Sequence, residues 1–250
     1  MAATTSGTVT IATTMTSAIT LLRLLQLTSP ALPVGAYSYS EGLETLSQRG
    51  HLPDAAALEA WLTHELRYGV VRLEATALLR GHQAARNGDL GAIAAQNQWL
   101  SALRDTEELR QQNWQMGQSL QQLLLQLDAS MAPLLDPLRP CNLAIAFAVA
   151  AAYWDISEYD SVLGYLYSWA NTGISAGIKL IPLGQTAGQQ LQQRLYPELM
   201  ATTTAMLEAP EDWWDWTCDT ATASTGPLCS WGLSLASMDH ETLYSRLFRS

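Results

Sequence analysis

Residues 141–154 read Cys-Asn-Leu-Ala-Ile-Ala-Phe-Ala-Val-Ala-Ala-Ala-Tyr-Trp, with Asn142 the one polar side chain before Tyr153. A helix that is apolar all round has no face for water, so other elements must enclose it. The run is too short to cross a bilayer. It therefore predicts a central buried helix, Cys141 to Trp154, in a molecule whose remaining segments exist to cover it. No stretch elsewhere alternates at period two, so the covering segments are helices. The expectation is an all-α fold, a single globular bundle of about 8–10 helices with no significant sheet.

Along the chain, Leu21, Leu22, Leu24 and Leu25 suggest a short helix. It cannot run past Ser29, because Pro30 pushes the residue before it out of the helical region. Leu32 before Pro33 is pushed the same way, and Gly35 permits a turn closed to other residues. Tyr37 to Leu46 is aromatic and hydroxylated, with Glu41 and Glu44 spaced to share a helix face. Such a loop should be pinned, its tyrosines packed. Asp54 is a candidate cap for a helix through Leu58, Leu62, Leu66, Val70, Leu73 and Ala77 that Asn87-Gly88 stops. Asp89 caps another, striped from Ile93 through Leu100, Met116 and Leu120 to Leu127. Its polar side carries pairable charges at Arg104, Glu107, Glu108 and Arg110. Glutamines follow at 111, 112, 115, 118, 121, 122 and 126, read as a solvated face.

Pro133, Pro137 and Pro140 mark a break. Asp155-Ile156-Ser157-Glu158 has capping-box spacing before a helix through Tyr159, Leu166 and Trp169. Asn171-Thr172-Gly173 reads as a stop or a close-packed kink, and Gly173, Ala176 and Gly177 admit a neighbouring helix. A last long helix runs from Gly184 to about Met206, kinked at Pro197. Residues 207–232 read as a loop in which Trp213, Trp214 and Trp216 stand among acids, either a flap or a partner site. The chain divides into a disordered tail at 1–18, a helical domain at 19–232 and a C-terminal docking tail at 233–250.

The chemistry points to binding. The formal net charge is −10 and Lys179 is the one lysine, which argues against nucleic acid and anionic membranes. Three cysteines without CxxC spacing fit a reducing compartment and no disulfide framework, so the expected location is the cytoplasm. His51, His64, His82 and His240 form no metal-binding pattern, and the isolated histidines read as helix-face or capping residues. Leu183-Gly184-Gln185-Thr186-Ala187-Gly188-Gln189 lacks the lysine of a phosphate loop, and no GxSxG elbow exists. The carboxylate pairs Glu41/Glu44 and Glu107/Glu108 are ordinary on helices. No catalytic, metal or cofactor site is expected. The C-terminus is unusual for a chain end: Leu243/Leu247 and Tyr244/Phe248 are apolar pairs at i,i+4, and Arg246 and Arg249 close an acidic chain. Such a tail docks, on its own bundle or on a partner.

Three stretches carry a resemblance: Ser29-Pro30-Ala31-Leu32-Pro33-Val34-Gly35-Ala36-Tyr37-Ser38-Tyr39-Ser40-Glu41-Gly42-Leu43-Glu44, then Lys179-Leu180-Ile181-Pro182-Leu183-Gly184-Gln185-Thr186-Ala187-Gly188-Gln189, then Ser237 to Ser250. In this order they are similar to the motifs of the urease accessory protein F (UreF) family. The resemblance implies an all-helical homodimer without catalysis, a chaperone of metallocentre assembly. Such a protein joins a D/H-type accessory protein and the accessory GTPase G, modulates that GTPase, and helps nickel enter apo-urease. By motif it implies partner-binding roles for Tyr37, Tyr39, Glu41, Lys179, Gln185, Gly188, Tyr244, Arg246 and Arg249. A helical enzyme with a spatially assembled site and a direct nickel carrier stay open as other readings.

Overall fold

The computed structural model describes residues 17–209 and 231–249. Eleven α-helices appear among them: α1 Ala18–Leu27, α2 Leu43–Gln48, α3 Ala55–Tyr68, α4 Val70–Arg86, α5 Leu90–Ala102, α6 Glu107–Leu127, α7 Ala132–Leu135, α8 Leu143–Tyr153, α9 Glu158–Leu180, α10 Gln185–Glu208 and α11 Trp231–His240. Single 3₁₀ turns lie at Ala36–Ser38 and Ala129–Met131, and there is no strand among the described residues.

The apolar run is the centre. Every residue from Ala144 to Ala152 is buried, and α4, α6 and α9 pack around them. Alanines and glycines let these helices approach closely. A Cβ at Gly81 of α4 would lie 3.3 Å from Ala148 Cβ, and one at Gly117 of α6 would lie 2.1 Å from Cys141 O. Asn142 is buried completely, and its two nitrogens are engaged. Its Nδ2 donates to Asn97 O at 2.8 Å and to Ser101 Oγ at 2.7 Å, while its backbone N–H donates to Asn97 Oδ1 at 2.9 Å. The Leu143 N–H donates to Asn113 Oδ1 at 2.9 Å. Side chains of α5 and α6 thus cap α8, satisfying amide donors that a buried helix start would otherwise strand.

Eleven helices exceed the expected number because two long helices are interrupted. The stretch from Asp54 to Asn87 breaks at Gly69, whose backbone is extended; a Cβ there would lie 2.6 Å from Glu65 O. The stretch from Asp89 to Leu127 breaks at residues 103–106, where Arg104 turns inward to pair with Glu74, and Thr106 Oγ accepts the Leu109 N–H at 3.3 Å to start α6. Conversely, α9 runs straight through Asn171–Gly173. Gly173 and Gly177 receive Leu62 and Leu58 of α3, and Gly188 of α10 receives Ile178. The small residues expected to admit a neighbour do so within one chain.

Asp54 and Asp89 cap their helices as expected, accepting from Ala57 N and Ala92 N at 2.9 Å each. Before α9 the cap is Ser157, which accepts the Asp160 N–H at 3.0 Å; Asp155 has φ +57° instead. The glutamine face is not uniformly solvated: Gln112 and Gln121 are buried, and Gln121 donates to Leu138 O at 3.3 Å. At the amino end Ser17 Oγ accepts the Thr20 N–H at 3.2 Å, so residues 17 and 18 start α1. The disorder expected for the residues before them and the Trp-rich stretch 211–219 lie outside the described residues.

Candidate functional site: a three-motif junction

The loop between α1 and α2 is shaped by backbone conformation. Gly35 has φ +79° and Gly42 φ +78°, both favouring glycine, and Glu41 sits between left-handed turns at φ +50°. A Cβ on Gly42 would meet Ala236 of α11 at 3.0 Å, so α11 rests directly on this turn. From inside, the loop is pinned as expected. Glu41 Oε1 accepts from Gln112 Nε2 at 3.0 Å and Oε2 from Trp169 Nε1 at 2.9 Å. The buried Tyr39 hydroxyl donates to Gln115 Oε1.

The tail closes over the loop. The N–H groups of Leu247 and Phe248 donate to the buried Glu44 carboxylate at 2.6 and 2.9 Å, and the Arg249 N–H donates to Ser38 O at 2.8 Å. Gln48 Nε2 donates to Ser245 O at 3.4 Å. Arg246 Nη1 donates to Glu108 Oε1 at 2.8 Å. Lys179, at the end of α9, completes the junction. Its Nζ donates to Tyr37 O at 3.3 Å and stands 5.2 Å from the centre of the Phe248 ring, a cation–π arrangement. The tail is irregular beyond α11, so the i,i+4 pairing expected of Leu243/Leu247 and Tyr244/Phe248 does not form. Phe248 alone of those four is buried. Of the two ways for the tail to dock, this chain adopts the one on its own bundle.

Beneath the loop lies a cavity of about 120 Å³, bordered by Pro30, Val34, Glu41, Glu74, Lys179 and Phe248. The groups inside are already committed. Glu74 takes Arg104, the Tyr165 hydroxyl at 2.7 Å and Asn113 Nδ2 at 3.4 Å. Burial pushes the Tyr165 phenol well up and the Arg104 guanidinium down from their ordinary values, and it raises the Cys141 thiol to about 12. A thiol held in that way is no nucleophile at neutral pH. No group of three or more His, Cys, Asp or Glu side chains that could hold a metal ion occurs among the described residues, and none of their helices is long and apolar enough to cross a membrane.

The structure thus brings Tyr37, Tyr39, Glu41, Lys179, Tyr244, Arg246 and Arg249 to one junction. Gln185 stands apart, exposed at the start of α10, and Gly188 is buried against Ile178. Large aromatic and aliphatic side chains stand open to solvent there beside the exposed Lys179, Arg246 and Arg249: Tyr37 is 75% exposed, Leu247 64%, and Tyr244 is fully exposed. Sequence reasoning missed Glu44, Glu108 and His240, which hold the tail. Glu44 and Glu108 look like ordinary helix-surface acids, and the apolar character of the tail was the one signal that something buried must receive it.

The UreF family model matches residues 52–196. Among curated relatives, the urease accessory protein UreF of Nostoc sp. (strain PCC 7120) is 50% identical over 230 residues, covering 92% of this chain and 95% of its own. That of Microcystis aeruginosa is 50% identical over 232 residues, covering 92% and 97%. That of Chromohalobacter salexigens is 39% identical over 232 residues, covering 93% and 95%.

Proposed function

The chain belongs to the UreF family, and from that premise we propose that it is a non-catalytic cytoplasmic adaptor of urease maturation, which joins a D/H-type accessory protein to the accessory GTPase G and modulates that GTPase while nickel enters apo-urease. An accessory role follows from the family; the bridging role is the proposal. One observation carries it. The three motifs meet at a junction where Glu44 and Lys179 hold the tail, while Tyr37, Tyr244 and Leu247 are left facing solvent. Exposed aromatic and leucine side chains on an internally braced platform are what a protein interface needs: preorganised apolar anchors at little ordering cost.

Self-association belongs to the same proposal. The glycine-rich packing of α9 and α10 is used inside the chain, but α1 turns Ile19, Leu21, Leu22 and Leu25 outward, each about half exposed. A second copy would cover such a face. Co-purification with each accessory protein in turn tests the adaptor reading, with Tyr244→Ala/Leu247→Asp as the control. Retained capture of the D/H-type partner by that variant would sink it.

A further inference from the structure

The cavity of about 120 Å³ beneath the signature loop has two unlike walls. One is apolar and buried: Leu27 at the end of α1, Val34 of the loop, Met116 and Leu120 of α6, and Phe147 of α8. The other is one face of α9, where Ser168, Asn171, Thr172, Ser175 and Lys179 follow at helical spacing. Pro30, Tyr37, Ser175 and Lys179 are exposed, so the cavity opens between the loop and the end of α9. The groups buried on its floor are engaged, but most of the α9 face is not. Thr172 Oγ1 donates back to Ser168 O at 3.0 Å, and among the described residues the Ser168, Asn171 and Ser175 side chains make no hydrogen bond. An apolar pocket with a few convergent polar groups is the usual form of a small-molecule site.

Charge is graded along that face. Glu74 takes the Tyr165 hydroxyl and Glu41 takes the Trp169 indole, so both carboxylates lie at the start of the stripe. Lys179 is about 15 Å further along α9 than Trp169, at the helical rise of about 1.5 Å per residue. Its ammonium meets the Tyr37 carbonyl and the Phe248 ring, and no carboxylate among the described residues. An anion is therefore repelled at one end of the cavity and attracted at the other. Ser175, one turn before Lys179, sets a hydroxyl beside that attracting end. Volume limits the rest of the ligand: an apolar cavity of about 150 Å³ takes benzene, so one ring or a short branched chain fits here. We propose that the cavity binds a small monocarboxylate with a compact apolar body, its carboxylate at Lys179 and Ser175 and its body against the apolar wall. Phe248 borders the same space, so the seated tail forms part of the site. The proposal does not depend on the adaptor reading.

The test uses the full chain alone, with phenylacetate as the probe, read by isothermal titration and by saturation-transfer NMR of the ligand. Saturable binding at one site per chain is expected. Phenylacetamide, which keeps the ring and loses the charge, should bind about tenfold more weakly or worse, and acetate, which lacks the body, should not bind. Lys179→Gln should weaken phenylacetate about tenfold and leave phenylacetamide unchanged. Ser175→Trp places an indole in the mouth from an exposed position and should abolish binding of both; thermal unfolding checks that each variant keeps its fold. Lys179→Gln carries the reading if Ser175→Trp does not fold. No saturable binding of phenylacetate below about 10 mM overturns the proposal. So does equal affinity for the acid and the amide, equal affinity in wild type and Lys179→Gln, or binding that survives in a folded Ser175→Trp.

Discussion

Glu74 of α4 and Arg104 of the α5–α6 connection face each other in the interior, both side chains less than a tenth exposed. Glu74 is shared with Tyr165 and Asn113, so a single carboxylate ties together α4, α6, α9 and the break between α5 and α6. The pair explains why the long helix expected from Asp89 to Leu127 cannot be continuous. Residues 103–106 must leave helical geometry for the guanidinium to reach inward.

Glu74→Ala should therefore destabilise strongly. It strands the Arg104 guanidinium in a site where burial already disfavours its charge, and breaking a buried pair on one side costs about 3–5 kcal/mol. Replacing both partners with apolar residues should cost much less. Urea unfolding of the single and double variants measures the difference; equal losses would contradict this account.

Gly117→Ala tests the approach of α6 to α8. The added carbon would meet backbone, Cys141 O at 2.1 Å, and backbone cannot rotate away. A loss at or above the upper end of the usual overpacking range of about 1–3 kcal/mol is expected. Gly177→Ala should cost less, because its close neighbour is Leu58 Cδ2, the far end of a flexible side chain. Thermal unfolding of the two variants side by side settles the order.

Tyr244→Ala/Leu247→Asp should leave unfolding unchanged, since both side chains face solvent. It should weaken capture of the D/H-type partner, because losing an interface anchor commonly costs about 2 kcal/mol or more, and each 1.4 kcal/mol is about tenfold. Deleting residues 243–250 is a different experiment. It would also strip Glu44 of the two amide donors it holds in the interior, so a fall in melting temperature is expected along with lost binding.

Acid should loosen the molecule at His82. Burial disfavours its charged form and lowers its pKa from the ordinary 6.5, despite the Ile156 carbonyl that its Nε2 meets at 2.8 Å. The unfolded chain then binds the extra proton more readily than the folded one, so stability falls as pH drops below about 6.5. A His82→Gln variant should show a flatter stability profile through that range in denaturant unfolding.

The burial of Ala144–Ala152 within the run Cys141–Trp154 was legible because an all-apolar helix has one solution, enclosure; Tyr153, near its end, reaches solvent instead. The caps at Asp54 and Asp89 were legible because capping is local chemistry. The breaks at Gly69 and at residues 103–106 were not. Helical periodicity continues across both, and what interrupts it is a close approach in one case and a tertiary ion pair in the other. At the junction, Tyr37, Lys179 and Arg249 were accessible through their motifs. Glu44, Glu108 and His240 were not, because a polar side chain turned toward the interior of the fold has the same sequence signature as one turned toward solvent. The glutamines on α6 divide in the same way. Gln121 is buried because Leu135 and Leu138 offer carbonyls above it, which nothing in the spacing of the glutamines reveals.

Lys179 is the one lysine in the chain, and its amine sits where the signature loop, the end of α9 and the tail meet. Apart from the α-amino group, amine-directed reagents therefore have a single address on this protein. An acylating probe or a short bifunctional crosslinker will report on the seating of the tail and on whatever covers it, with no engineered residue. Labelling will slow when Phe248 lies across the amine and quicken when it lifts away.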